Sequence, residues 1–108
     1  MSDAANNAFV TVERQGAVAT LWLNRPDVLN ALSLDVNSAL IAALEEADQD
    51  EKVGAMVLTG RGRAFSAGAD RKLLAQLEHA GRAQRVAALE LGARVTNAML
   101  TAQTPIVA

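Results

Sequence analysis

Apolar and polar positions alternate at the start of the chain and then change period. Residues 9–14 (FVTVER) alternate as a half-buried strand does, and residues 17–23 (AVATLWL) read as a second strand. Gln15-Gly16 supplies the turn between them, so a hairpin is expected. Asn24-Arg25-Pro26-Asp27 ends the second strand, because proline cannot donate to a ladder. Ser33 is placed to cap a helix from Leu34 to about Ala47, with Asp35 in its first turn and Leu40, Ile41, Leu44 and Ala47 forming one apolar stripe. Residues 55–59 (AMVLT) form a short apolar run between helices, the pattern of a buried parallel strand. Beyond a glycine-rich stretch the spacing predicts a helix over 71–77, a break at Gly81, and a longer helix from 83 to about 102. That longer helix carries Val86, Leu89, Ala93 and Leu100 on one face. Residues 104–108 (TPIVA) open another strand.

The expected order is therefore β-β-α-β-α-α-β, an α/β class with right-handed crossovers laying the later strands parallel. Residues 1–7 are expected to be a disordered N-terminus, with one domain over 8–108. The last strand stops on Ile-Val-Ala without a polar exit, so the chain reads as an incomplete piece of its fold.

Composition narrows the class. Hydrophobic residues make up 51% and charged residues 20%, which suits a packed soluble domain and not a disordered chain. A formal net charge of −2 and only three aromatic residues argue against nucleic acid or an anionic membrane as partner. Cysteine is absent, which removes disulfides and thiolate metal sites and is compatible with the cytoplasm. No secretory signal and no membrane span is legible.

The chemistry concentrates in GRGRAFSAGADRK, residues 60–72. Gly60 and Gly62 begin a dinucleotide fingerprint, but Phe65 stands where its third glycine belongs; Gly62 and Gly68 are one residue too far apart for a phosphate-binding P-loop. Ala64-Phe65-Ser66-Ala67-Gly68 nearly matches a nucleophile elbow, with alanine in place of the first glycine, and His79 is the sole histidine available as a base. The remaining option is an anion hole of main-chain N–H groups at a helix start. There Gly68 can take positive φ, and small Ala67 and Ala69 leave room beside it.

Four blocks occur in order: Leu23-Asn24-Arg25-Pro26, Leu29-Asn30-Ala31-Leu32, Val57-Leu58-Thr59-Gly60 and residues 64–70 (AFSAGAD). Together they resemble the N-terminal part of the enoyl-CoA hydratase/isomerase (crotonase) family, over nearly the whole chain from about residue 8. The resemblance implies a spiral of ββα units, usually assembled as trimers or dimers of trimers, with an acyl-CoA thioester as substrate and no separate cofactor or metal. It assigns to the Ala69 N–H one of two oxyanion donors. Asp27, Val28 and Leu29 fall beside the adenine end of CoA, and Ala67, Gly68 and Asp70 line the same pocket. Asp70 is expected to start a helix and not to act as a general acid. Arg71 departs from the family, which usually has an apolar residue there. The second oxyanion donor and the acid–base glutamates are implied to lie beyond Ala108, which leaves Glu45, Glu46, Glu78 and Glu90 as solvated helix faces. Hydration of a 2-enoyl-CoA is the expected reaction of the parent protein. The alternatives are a non-catalytic product that binds CoA weakly or pairs with a full-length subunit, and a serine hydrolase using Ser66.

Overall fold

A computed structural model describes residues 9–108; the disordered N-terminus expected at residues 1–7 lies outside the described residues. Strand β1 (Val10–Gln15) pairs antiparallel with β2 (Val18–Leu23), from Val10 opposite Leu23 to Gln15 opposite Val18. Gly16 turns the hairpin at φ 58°, in the left-handed region that a tight hairpin needs and that glycine enters without strain. Strand β3 (Ala55–Gly60) lies parallel to β2, and β4 (Ile106–Val107) lies parallel to β3, so the sheet order is β1-β2-β3-β4.

Helix α1 (Leu34–Gln49) connects β2 to β3 and covers one face of the sheet. Ser33 caps it, its Oγ accepting from Val36 N at 3.2 Å. The expected stripe of Leu40, Ile41, Leu44 and Ala47 is buried, joined by Val36, Ala39 and Ala43. These meet Val10 and Val12 of β1, Ala19, Leu21 and Leu23 of β2, and Met56 and Leu58 of β3 in one core. Alternate positions of each strand thus point at α1, as the period-two rule requires. The β3 run, expected as a buried parallel strand, is parallel and is buried on one face. Only Met56 and Leu58 are buried, while Ala55, Val57 and Thr59 stay half-buried on the opposite face.

Helices α2 (Arg71–Glu78) and α3 (Arg82–Thr101) follow, separated at Gly81 as expected. The apolar face expected on α3 is corrected by the packing. Val86, Leu89 and Leu100 are exposed, Leu89 by 73% and Leu100 by 80%. The side facing the core is the opposite one, where Val95 is buried and Leu91, Ala98, Met99 and Ala102 pack beside it. Both sides of α3 carry apolar residues at helical spacing, and contact with α1 decides which is covered. The Asp48 carboxylate of α1 then accepts from Gln103 N at 3.1 Å and Thr104 N at 2.9 Å, holding the chain as it enters β4. Among the described residues no helix is long and apolar enough to cross a membrane.

Candidate functional site

The glycine-rich stretch between β3 and α2 is hung from the loop that precedes α1. Ala67 N donates to Leu29 O at 2.9 Å, Ser66 Oγ to Asn30 O at 2.8 Å, Leu32 N to Gly68 O at 2.7 Å and Asp70 N to Leu32 O at 3.0 Å. Gly68 N donates to Ser66 Oγ at 3.1 Å. Gly68 itself sits at φ 90°, where an L side chain would be strained. Its peptide link to Ala69 is trans and planar, so the Ala69 N–H points opposite to the Gly68 carbonyl. Because Gly68 O is engaged by Leu32 N, the Ala69 N–H is turned away from the 29–32 segment and makes no hydrogen bond among the described residues. Its neighbours Ala67, Gly68 and Asp70 all donate; Ala69 alone of these four does not.

Asp70 caps α2. Its Oδ1 accepts from Lys72 N at 2.8 Å and Leu73 N at 3.2 Å, and its Oδ2 accepts from Arg25 Nη1 at 3.0 Å. The Leu73 N–H, then the Arg25 guanidinium, hold the carboxyl below the usual aspartate range despite its burial. A carboxylate kept ionised in this way serves as a cap and a counter-ion, and has no proton to give near neutral pH. Arg25 also donates from Nη1 to Ala31 O at 3.2 Å and lies 5.6 Å from the centre of the Phe9 ring. It therefore clamps the end of β2 against the start of α2.

An open cleft of about 540 Å³ borders these segments. Asp27, Val28, Leu29, Ala67, Ala69 and Asp70, all singled out from the sequence, line it. Gly68, expected in the same pocket, is not among the residues that line it, although both its chain neighbours are. The cleft also receives Arg63, Arg71 and Lys72, whose cationic side chains the spacing had not assigned to a ligand. Ser66 and His79 do not form a nucleophile–base pair: Ser66 Oγ donates to Asn30 O, and His79 ends α2 at its far end. Among the described residues no three histidine, aspartate or glutamate side chains converge as metal ligands would.

The profile of the enoyl-CoA hydratase/isomerase family matches residues 13–108. The chain belongs to that family. It is 44% identical over 71 residues to a probable enoyl-CoA hydratase from Mycobacterium bovis, covering 66% of this chain and 28% of that relative. Over its full length it is 33% identical to a mitochondrial 3-hydroxyisobutyryl-CoA hydrolase from Rattus norvegicus, again 28% of the relative. A crystal structure of a putative enoyl-CoA hydratase/isomerase (crotonase) from Legionella pneumophila superposes with a TM-score of 0.88 at 22% identity. That match covers 94% of this chain and 39% of that one, and it shows the crotonase fold. The chain thus spans about a quarter of the length of the curated relatives it matches.

Within this member of the enoyl-CoA hydratase/isomerase family, the sequence blocks pointed to the cleft-lining backbone. They did not single out Asn30 as the junction of the loops, nor Arg25 as the clamp. Asn30 stands at φ 55°, and asparagine is one of the few side chains that enters this region readily, which is the signal its residue type offered. Arg25 had no comparable signal, since its partner Asp70 lies 45 positions away.

Proposed function

We propose that this chain supplies the thioester-binding side of an acyl-CoA active site, and that the assembled enzyme hydrates a 2-enoyl-CoA. The observation that carries the reading is the Ala69 N–H, without a hydrogen-bond partner among the described residues while its neighbours donate, in the lining of a cleft that also receives Arg63, Arg71 and Lys72. In the reaction, water adds to C3 of the enoyl group and the displaced π electrons move onto the thioester oxygen. An N–H already aimed at that oxygen needs no reorganisation as the charge develops, and loss of one such donor costs about 2.7–4 kcal/mol elsewhere. Asp27, Val28 and Leu29 offer backbone to the nucleotide end of CoA, and Arg63, Arg71 and Lys72 suit its phosphates. The second oxyanion donor and the groups that move protons between water and C2 come from polypeptide outside these 108 residues. Membership of the family supports acyl-CoA chemistry in general; the hydratase assignment adds to it the relatives that bear that name.

The test is turnover of crotonyl-CoA, followed by loss of enoyl thioester absorbance, in the assembled enzyme with and without Ala69→Pro. The substitution removes the N–H while breaking no hydrogen bond among the described residues, and Ala69 has no positive φ to conflict with the ring. Turnover is expected to fall about 100- to 1000-fold. A folded Ala69→Pro enzyme with unchanged turnover overturns the assignment. Release of free CoA without 3-hydroxyacyl product would instead favour thioester hydrolysis, the activity named for the rat relative. Absence of turnover by the 108-residue chain alone, with binding retained, fits its role as one side of the site.

A further inference from the structure

Asn30 is 1% exposed, and every polar group it owns is used. Its Oδ1 accepts from Arg25 N at 2.8 Å, and its Nδ2 donates to both Arg61 O and Ala64 O at 2.9 Å. Its own N–H donates to Arg25 O at 2.8 Å, and its carbonyl accepts from Ser66 Oγ at 2.8 Å. Three stretches meet at this residue: the turn after β2, the exit of β3, and the approach to α2. Leu29 and Asn30 lie consecutively in the left-handed region at φ 54° and 55°, and that pair of residues turns the Leu29 and Asn30 carbonyls toward Ala67 and Ser66.

We propose that Asn30 is the positioning residue that aims the Ala69 N–H; this role rests on the acyl-CoA reading above. The coupling runs through the two peptide planes that flank Gly68. Ser66 Oγ, anchored on Asn30 O, receives Gly68 N and so orients the plane between Ala67 and Gly68. Leu32 N, two residues along from Asn30, holds Gly68 O and orients the plane between Gly68 and Ala69. A glycine at φ 90° with open space around its α-carbon has nothing of its own to stop either plane from rotating. The Ser66 link to Asn30 O, and the Leu32 bond made from the turn that Asn30 anchors, supply that restraint. Meanwhile its Nδ2 fixes Arg61 and Ala64 upstream, so the loop is pinned at both ends by one side chain. A buried amide with its donors and acceptor all engaged holds such an arrangement rigidly, since any rotation leaves a polar group unpaired.

The experiment is backbone amide NMR on the full chain titrated with crotonyl-CoA, comparing the parent with Asn30→Gly. Glycine keeps the left-handed conformation and removes only the side-chain amide. In the parent, the Ala69 amide proton is expected to move downfield on addition of the thioester, with accompanying changes at Val28 and Leu29. In Asn30→Gly the changes at Val28 and Leu29 should persist while the Ala69 response falls to less than half. Asn37→Ala serves as control, because Asn37 is also buried but lies on α1; it should leave the Ala69 response intact. A full Ala69 response in folded Asn30→Gly, or an equal loss in Asn37→Ala, overturns the positioning role while leaving the acyl-CoA reading in place. An Ala69 amide that is silent in the parent overturns both. If Asn30→Gly does not fold, Ser66→Ala cuts only the arm between Asn30 and Gly68. The same selective loss at Ala69 is then expected, and an undiminished response refutes the role.

Discussion

Gly60, the last residue of β3, has no space for a side chain. A Cβ built there would press on Phe65 O and Asn30 Nδ2 and lie 2.6 Å from Ala64 O. Two of the three are main-chain carbonyls, and the third belongs to an amide already bonded to Arg61 O and Ala64 O. None can step aside without moving the loop. In Gly60→Ala, overpacking of this kind costs about 1–3 kcal/mol. Pushing Nδ2 off a carbonyl leaves a buried donor unpaired, at about 1–3 kcal/mol more. The sum of about 2–6 kcal/mol is a large part of the 5–15 kcal/mol typical of a domain. A urea titration followed by circular dichroism should show the midpoint falling by about 1–3 M, given a slope of about 2 kcal/mol/M. Gly92, inside α3 with nothing within 4 Å of its built Cβ, is the internal comparison. Gly92→Ala should stabilise by about 0.5–1 kcal/mol, because alanine is the better helix residue. A Gly60→Ala chain with the parent midpoint would refute the idea that the loop is locked around this glycine.

Leu44 is 1% exposed in the middle of α1, so Leu44→Ala should cost about 2–5 kcal/mol in the same titration. Leu89, 73% exposed on the outer side of α3, should tolerate alanine within about 0.5 kcal/mol, and an equal loss at both sites would contradict the packing described. Asp48, Asp50 and Asp70 all have carboxyls held below the usual aspartate value, by the Thr104 N–H, the Arg14 side chain and the Leu73 N–H respectively. Such a depressed folded value contributes stability that is fully present above the unfolded value and is lost as pH falls from there through the folded value. Stability should therefore be flat from neutral pH down to about 4 and decline below. Asp70→Asn keeps a capping side chain but no charge, and it should make that decline shallower; an unchanged acid limb would show that Asp70 contributes nothing to it.

The elements were legible because each had one period and clear stops. Ser33 before an apolar stripe, Gly16 between alternating runs and Pro26 after Leu23 are local signals, and each sits where the sequence pattern put it. Helix α3 was misread because apolar residues repeat on both its sides. Periodicity finds an apolar face but cannot choose between two, and only docking against α1 covers the Val95 side. The single-sided burial of β3 was hidden for a related reason, since a run such as AMVLT does not say whether one or both faces are packed. In the cleft, residue types revealed the small and flexible positions around Gly68. They could not reveal Asn30 as a junction, because its side-chain partners are the main-chain groups of Arg25, Arg61 and Ala64. Carbonyls and amides leave no mark in a sequence.

Trp22 is the only tryptophan, and the chain has no tyrosine. Its indole lies under the Arg61 guanidinium, 4.0 Å from ring centre to Cζ, with Nε1 buried and without a hydrogen-bond partner among the described residues. Arg61 is also tied through its carbonyl to Asn30 and through its side chain to Glu13 at 2.8 Å. The fluorescence of a single residue therefore comes from beside the point where the glycine loop leaves the sheet. Loosening that loop lifts a cation from the indole and admits solvent, and emission should change in intensity and colour without any label attached. The protein carries its own optical gauge of the loop, readable at concentrations far below those that spectroscopy of individual amides requires.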